Sequence, residues 1–290
     1  AQKLKVDYVA HGSTGAGNDQ VRFDLVFQAL IPEIGILTPI RDLQLSRKEE
    51  IEQLHTWGFP VSAEKAQYSV NEGLWGTSIG GAETLTSNLA LPEHAWPYPV
   101  TATGEQKITI GFEKGIPVSL NGTPFSPVEL IRTLEKLTRP FGIGRDIHVG
   151  DTIVGIKGRV AFVAAAPLLL IKAHQLLEKH TLTKWQQQLK KQQSEWYGSL
   201  FHEGQFMDPV MRDIEAHLKQ SQERVTGEVT ILLKPYHFEL QGIVSDYDLL
   251  NSKIAAYGEG TRAWSADDAK GFIKITGIQT KLWHAQTKTL

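Results

Sequence analysis

Apolar residues in the opening part of the chain fall into short continuous runs. Val6 to Val9 reads as a buried strand, Val21 to Leu30 as a helix, and Gly35 to Pro39 as a second strand of the same kind. A helix between two such strands is a βαβ unit, with its strands parallel and in need of cover on both faces. One unit is too little sheet to fold alone. The pattern therefore predicts a fragment whose missing N-terminal part supplied the rest of the sheet. Ser46 is placed to cap a helix beginning at Arg47, with Glu49 and Glu50 in its first turn and an end near Gly58 and Pro60. The α/β segment is expected to close at about residue 60.

After residue 60 the pattern changes. Tyr68 to Gly81 is rich in glycine and serine and reads as a polar loop, and Pro92, Pro97 and Pro99 mark an irregular connection. Lys107 to Glu113 alternates Ile108, Ile110 and Phe112 with polar residues, the period of a half-buried strand. Gly115 to Pro117 turns, Val118 to Leu120 returns, and Asn121-Gly122 signals a tight turn. Ser126-Pro127-Val128-Glu129 is a capping box for a helix with Leu130, Ile131, Leu134 and Leu137 on one face. Ile153 to Ala166 reads as strand with glycine breaks. Leu168–His180 and Leu182–Leu200 read as helices, and Asp208-Pro209 starts another that runs to about Arg224. Val229–Lys234 and Phe238–Val244 form a hairpin, and Phe272 to Ile275 a late strand. Strands without regular helix alternation predict an α+β domain over 61–290.

Composition narrows the classes of function. The 290 residues are 41% hydrophobic and 21% charged, as in ordinary globular proteins. A formal net charge of −2 argues against a nucleic-acid partner held by a broad basic face. The absence of cysteine removes thiolate chemistry and disulfides and suits a reducing compartment, the cytoplasm. The longest apolar run, Val160 to Ile171, is too short to span a bilayer, and Ala1 to Asp7 has no apolar region of the signal-peptide kind. Neither a nucleophile elbow nor a metal-binding motif is found.

The chemistry concentrates in His11-Gly12-Ser13-Thr14-Gly15-Ala16-Gly17-Asn18-Asp19-Gln20-Val21-Arg22-Phe23. Glycines between a strand and a helix N-terminus turn backbone N–H groups toward an anion. Beside them stand an amide, a carboxylate, a guanidinium and hydroxyls, the polar content of a site for small zwitterions and phosphates. A well-solvated, helix-capping loop is the alternative reading of the same residues.

This loop, together with Tyr68-Ser69-Val70-Asn71-Glu72-Gly73-Leu74-Trp75-Gly76, Gly142-Ile143-Gly144-Arg145, Val154-Gly155-Ile156-Lys157-Gly158-Arg159 and Asp268 to Lys274, resembles argininosuccinate synthase along the whole chain. The resemblance implies a remnant of a nucleotide-binding α/β domain of the adenine nucleotide alpha hydrolase type at 1–60, followed by a synthetase and multimerisation domain at 61–290. It implies a carbon–nitrogen ligase of arginine biosynthesis and the urea cycle, with ATP and Mg²⁺ required and a cytoplasmic homotetramer as the assembly. Citrulline is activated with AMP, pyrophosphate leaves, and aspartate displaces AMP. Gly12 matches the glycine against the nucleotide. Thr14, Asn18 and Asp19 match aspartate-binding positions, and Asn18, Arg22, Ser69 and Ser78 match citrulline-binding positions. The family's nucleotide domain begins with a Ser-Gly-Gly-x-Asp pyrophosphate loop, which none of these 290 residues forms. The chain resembles the family sequence without roughly its first quarter. The alternative is that, as it stands, it is a non-catalytic substrate-binding and self-association module.

Departures from the family pattern gather in two places. Ala16 stands where many members have lysine. Gly150 and Phe162 stand where many have a citrulline-binding glutamate and a tyrosine, with Asp151 as a candidate replacement for the glutamate. His148, beside Asp146 and Asp151, reads as a structural histidine in preference to a metal ligand or an acid–base group. Arg145, Lys157 and Arg159 fit a site for a carboxylate or phosphate, or else a solvated face or an intersubunit ion pair. Trp75, Trp185, Trp196 and Trp264 read as core or interface anchors, and the Gln/Lys-rich helix 184–196 as a solvated face or, in a tetramer, a contact with a neighbour through its aromatic and leucine positions.

Overall fold

The computed structural model describes residues 1–15, 17–59, 67–250 and 263–287. These fall into two compact units, Ala1–Asp246 and Tyr247–Leu290. In the first, β1 (Tyr8–Ala10) and β2 (Gly35–Leu37) run parallel, joined by α1 (Asp19–Leu30), so the expected βαβ unit forms. Its strands are not buried as their apolar pattern suggests: Tyr8 is 60% and Leu37 49% exposed. Only these two strands make up their sheet among the described residues, which leaves them without cover. α2 (Pro39–Leu43) follows, then α3 (Arg47–Thr56), opened by the predicted Ser46 cap, which forms a capping box with Glu49.

Next in the chain come β3 (Tyr68–Gly73), β4 (Gly76–Gly81), β5 (Gln106–Glu113), β6 (Ile116–Leu120), β7 (Thr123–Pro124) and α4 (Pro127–Thr138). β8 (Arg145–Asp151), β9 (Lys157–Val163), α5 (Ala165–Thr181), α6 (Lys184–His202) and α7 (Val210–Ser221) follow, and β10 (Gly227–Lys234) and β11 (His237–Val244) complete the unit. A five-stranded antiparallel sheet has the order β11-β10-β5-β6-β7. Its inner face presents Ile108, Ile110, Val229, Ile231 and Leu233 to Leu130 and Leu134 of α4 and to Leu169, Ala173 and Leu177 of α5. Alternation at period two on the strands meets a helical stripe, and burial of these side chains supplies the main core. The Asn121-Gly122 turn has both residues at positive φ, the conformation that this dipeptide tolerates and a two-residue hairpin needs.

The second sheet is antiparallel with the order β3-β4-β9-β8. It corrects the sequence reading of Tyr68 to Gly81 as a loop. Polar residues mask the alternation, because only one face of this hairpin is covered, by Ile79 packed with Ala161, Leu91 and Trp96. Glycine is required at 76, where φ is 129° and a Cβ would lie 2.9 Å from the Val163 carbonyl oxygen.

Helices α5 and α6 are tied by a buried polar cluster. Glu178, 6% exposed, meets Lys190 at 2.7 Å and accepts from Gln222 at 2.9 Å. His174 lies 2.8 Å from the Gln222 amide oxygen and 3.8 Å from Glu178. Burial lowers the His174 pKa, aided by Lys190 and opposed by Glu178 and by the hydrogen bond to Gln222. Because the folded pKa lies below the ordinary 6.5, acid protonates the unfolded state first, and folding stability falls as pH drops below that value. Denaturant unfolding at pH 7.5 and at about 5.5 should show a smaller acid loss for His174→Gln than for the parent. Equal losses would remove His174 as a source of the effect.

In the second unit, α8 (Ala266–Thr276) begins with a Ser265–Asp268 capping box, and α9 (Ile278–Thr287) follows. Phe272 to Ile275, expected as a strand, lies inside α8. The box nucleates a helix there, and the local apolar run takes helical spacing. No helix among the described residues is long and apolar enough to cross a membrane.

Candidate functional site

The glycine loop is held by a network that starts at His11. Its Nδ1 accepts from the Ser13 N–H at 3.3 Å, which leaves the proton on Nε2, 2.8 Å from Asp24 Oδ1. The other Asp24 oxygen accepts from Arg41 Nη1 at 2.8 Å. Burial pushes the Asp24 carboxyl up, but hydrogen bonds from His11 and Arg41, reinforced by the Arg41 charge, outweigh it and leave the pKa lowered. Arg41 also donates to the amide oxygen of the buried Gln20, whose NH₂ donates to the Gly15 carbonyl. One arginine from α2 thus braces both the loop and the first two turns of α1. Sequence reasoning missed Gln20, Asp24 and Arg41. The motif contains the first and adjoins the second, and nothing local marks the third.

Gly12, Thr14 and Asp19 are exposed at the loop, and Asn18 is half-buried. Ala16 lies outside the described residues. Asn18 makes no side-chain cap to α1. Its Oδ1 instead accepts from the Ile153 N–H at 2.8 Å, across 135 positions of sequence. Its NH₂ group makes no hydrogen bond among the described residues. The Arg22 Nε and Nη2 both donate to the His202 carbonyl, at 3.0 and 2.9 Å, and Nη2 lies 3.3 Å from His202 Nδ1. His202 Nε2 in turn lies 3.3 Å from the Asp151 carbonyl oxygen. Arg22 Nη1 is 3.5 Å from Asp19. The guanidinium is oriented by the C-terminus of α6, where carbonyl groups favour a cation. His202 is a second residue that the sequence did not reveal.

Ser69 and Ser78 stand elsewhere, on the open face of the four-stranded sheet. No hydrogen bond among the described residues joins either to the loop. The link is indirect: β8 is the far edge of that sheet, and the segment after it meets Asn18 through Ile153. Asn71, Ser78, Phe162 and Asp146 lie in register across all four strands. Residues two positions away on a strand share its face, so Ser69, His148 and Gly150 belong to this face as well.

Asp151 does not replace a carboxylate at 150. It is one position removed, so it belongs to the opposite face, and it pairs with Lys157 at 2.6 Å. The basic trio is similarly engaged. Arg145 binds Glu93 at 3.0 Å and the Tyr98 carbonyl, and Arg159 donates to the carbonyls of Glu83, Thr86 and Leu89. These contacts lie within the chain, so they correspond neither to a solvated face nor to an intersubunit pair. Trp75, Trp185, Trp196 and Trp264 are each more than half exposed and are not core residues.

Two family profiles match the chain. One, described as the Arginosuccinate synthase N-terminal HUP domain, covers residues 1–60; the other, the Arginosuccinate synthase C-terminal domain, covers 68–283. Among curated relatives, the argininosuccinate synthase of Dictyoglomus turgidum is 40% identical over 285 residues, 98% of this chain and 72% of the relative. That of Pyrococcus furiosus is 38% identical over 286 residues, 97% and 69% of the two chains. That of Methanocaldococcus jannaschii is 35% identical over 291 residues, 99% and 73%. These likenesses span the braced glycine loop and the sheet face alike, and the chain belongs to the argininosuccinate synthase family.

Proposed function

We propose that this site joins citrulline to aspartate at the expense of ATP. The ureido oxygen of citrulline attacks the α-phosphorus of ATP, and pyrophosphate leaves. The aspartate amine then attacks the activated carbon, AMP departs with the bonding electrons, and the new nitrogen loses a proton, giving argininosuccinate. Gly12 lets the nucleotide lie close to the loop backbone. Thr14, Asn18 and Asp19 hold aspartate, Asp19 by accepting from its ammonium group. Asn18, Arg22, Ser69 and Ser78 hold citrulline, Arg22 by offering a planar fork to a carboxylate. Mg²⁺ accompanies ATP as part of the substrate. Its ligands are then phosphate oxygens and water. Catalysis by positioning and electrostatics, without a covalent protein intermediate, suits this set of side chains.

The observation that carries this reading is the anchoring of Asn18 and Arg22. Both are oriented by distant backbone, through the Ile153 N–H and the His202 carbonyl. Preorganised polar groups at the end of a glycine loop are what recognition of two small zwitterions needs. A division near residue 60, a homotetramer and a cytoplasmic location belong to the same proposal. Family membership supports all three, and the profile boundaries support the first. Calorimetric titration of the protein with citrulline and with aspartate should give separate, non-competing single sites. Binding of neither amino acid would overturn the proposal.

A further inference from the structure

We infer that Arg41, on α2 and outside the sequence motifs, is the positioning residue for the aspartate end of the site; this deepens the function proposed above and rests on it. α2 lies against the glycine loop. A Cβ on Gly12 would be 3.9 Å from Ile40 Cγ1, and one on Gly15 would be 3.7 Å from Arg41 Cγ. The arginine stem runs beside Gly15 while its guanidinium reaches α1. There a single nitrogen, Nη1, donates to Asp24 Oδ2 at 2.8 Å and to Gln20 Oε1 at 3.3 Å.

Two relays start from that nitrogen and end on either side of Thr14. One runs through Gln20, whose NH₂ donates to the Gly15 carbonyl. The other runs through Asp24 to His11, whose Nδ1 accepts from the Ser13 N–H at 3.3 Å. Thr14 is exposed, and so is Asp19, next in sequence to the buried Gln20. Both residues assigned to aspartate alone therefore stand in solvent beside groups that Arg41 holds from behind. An exposed side chain binds a small ligand well only when the backbone beneath it is already fixed, because ordering it on binding costs affinity.

The loop residues assigned to citrulline are anchored by other means. Asn18 is tied to the Ile153 N–H and Arg22 to the His202 carbonyl, neither through α2. Asn18 is shared with aspartate, but its anchor also lies away from Arg41. A change at position 41 should therefore separate the two amino acids, which a general loss of stability would not do.

The test is calorimetry on the full chain with aspartate and with citrulline, using the parent, Arg41→Met and Arg41→Lys. Arg41→Met keeps an apolar stem beside Gly15 and removes both hydrogen bonds. It should weaken aspartate binding about 5- to 100-fold, the cost of ordering two side chains on binding. Citrulline binding should stay within about threefold of the parent, because its anchors are independent. A lysine ammonium can donate to both oxygens from one nitrogen, as Nη1 does, so Arg41→Lys should return aspartate binding to within about threefold of the parent. Retained citrulline binding shows that Arg41→Met is folded. If that variant binds neither amino acid, Gln20→Met, which cuts only the relay to Gly15, takes its place, with the same aspartate-selective loss expected. Parental aspartate affinity in the methionine variant, equal losses for both amino acids, or a lysine variant as weak as the methionine one would each overturn the role of Arg41 while the ligase reading stands. If the parent binds citrulline but not aspartate, the aspartate roles of Thr14 and Asp19 fall, and that of Arg41 with them. If the parent binds neither, the ligase reading falls as well.

Discussion

A polypeptide of these 290 residues by themselves is expected to release no pyrophosphate from ATP in the presence of Mg²⁺, citrulline and aspartate. Forming citrullyl-AMP requires the departing pyrophosphate to be held while charge builds on it, and backbone N–H groups of a glycine loop are suited to that task. None of the 290 residues forms the Ser-Gly-Gly-x-Asp loop that the family resemblance assigns to this role. The glycine loop at 11–18 is already occupied in part by its own bracing: Gln20 takes the Gly15 carbonyl, and the Ser13 N–H goes to His11. A coupled assay for pyrophosphate, with argininosuccinate followed by mass, decides the matter. Turnover of about 1 per second or faster, an ordinary enzymatic rate, would show that these residues alone suffice.

The second large effect concerns two neighbours on α1. Arg22→Ala should weaken citrulline binding and leave aspartate binding near its parental value. Asp19→Ala should do the reverse. Each removes a charge-assisted hydrogen bond worth roughly 1.5–3 kcal/mol, or about 10- to 150-fold in affinity. Because Arg22 also donates twice to the His202 carbonyl, its removal could loosen α6. Arg22→Lys is the control: it keeps the charge and loses the planar fork, so it should still bind citrulline less tightly than the parent while the melting temperature holds. If both alanine variants keep parental affinity for both amino acids, the loop is only a braced helix start, and the binding roles given to it must be withdrawn.

How far the amino-acid sequence reaches is clear from particular elements. Asn121-Gly122, the Ser46 cap and the capping box at Ser126 are local devices, each closed within four residues, and the structure places turns and helix starts there. The β10–β11 hairpin and the βαβ unit follow from apolar period and short connections. The hairpin of β3 and β4 was hidden because only one of its faces is buried and glycines at its ends read as loop. The helical state of Phe272 to Ile275 was hidden because a short apolar run fits either period, and the cap that decides it lies seven residues before Phe272.

For the site the division is sharper. Sequence alone marked the loop with Gly12, Thr14, Asn18, Asp19 and Arg22 as a place for anions and zwitterions, because residue type and a strand-to-helix turn are local properties. Only the tertiary structure decided what orients them. Asn18 is tied to Ile153 across 135 positions and Arg22 to His202 across 180, and such pairings leave no local pattern. The same holds for the sheet face: Asp146 joins Ser78, and Asp151 is turned away, because strand register sets which residues share a face. A shift of one position would exchange them.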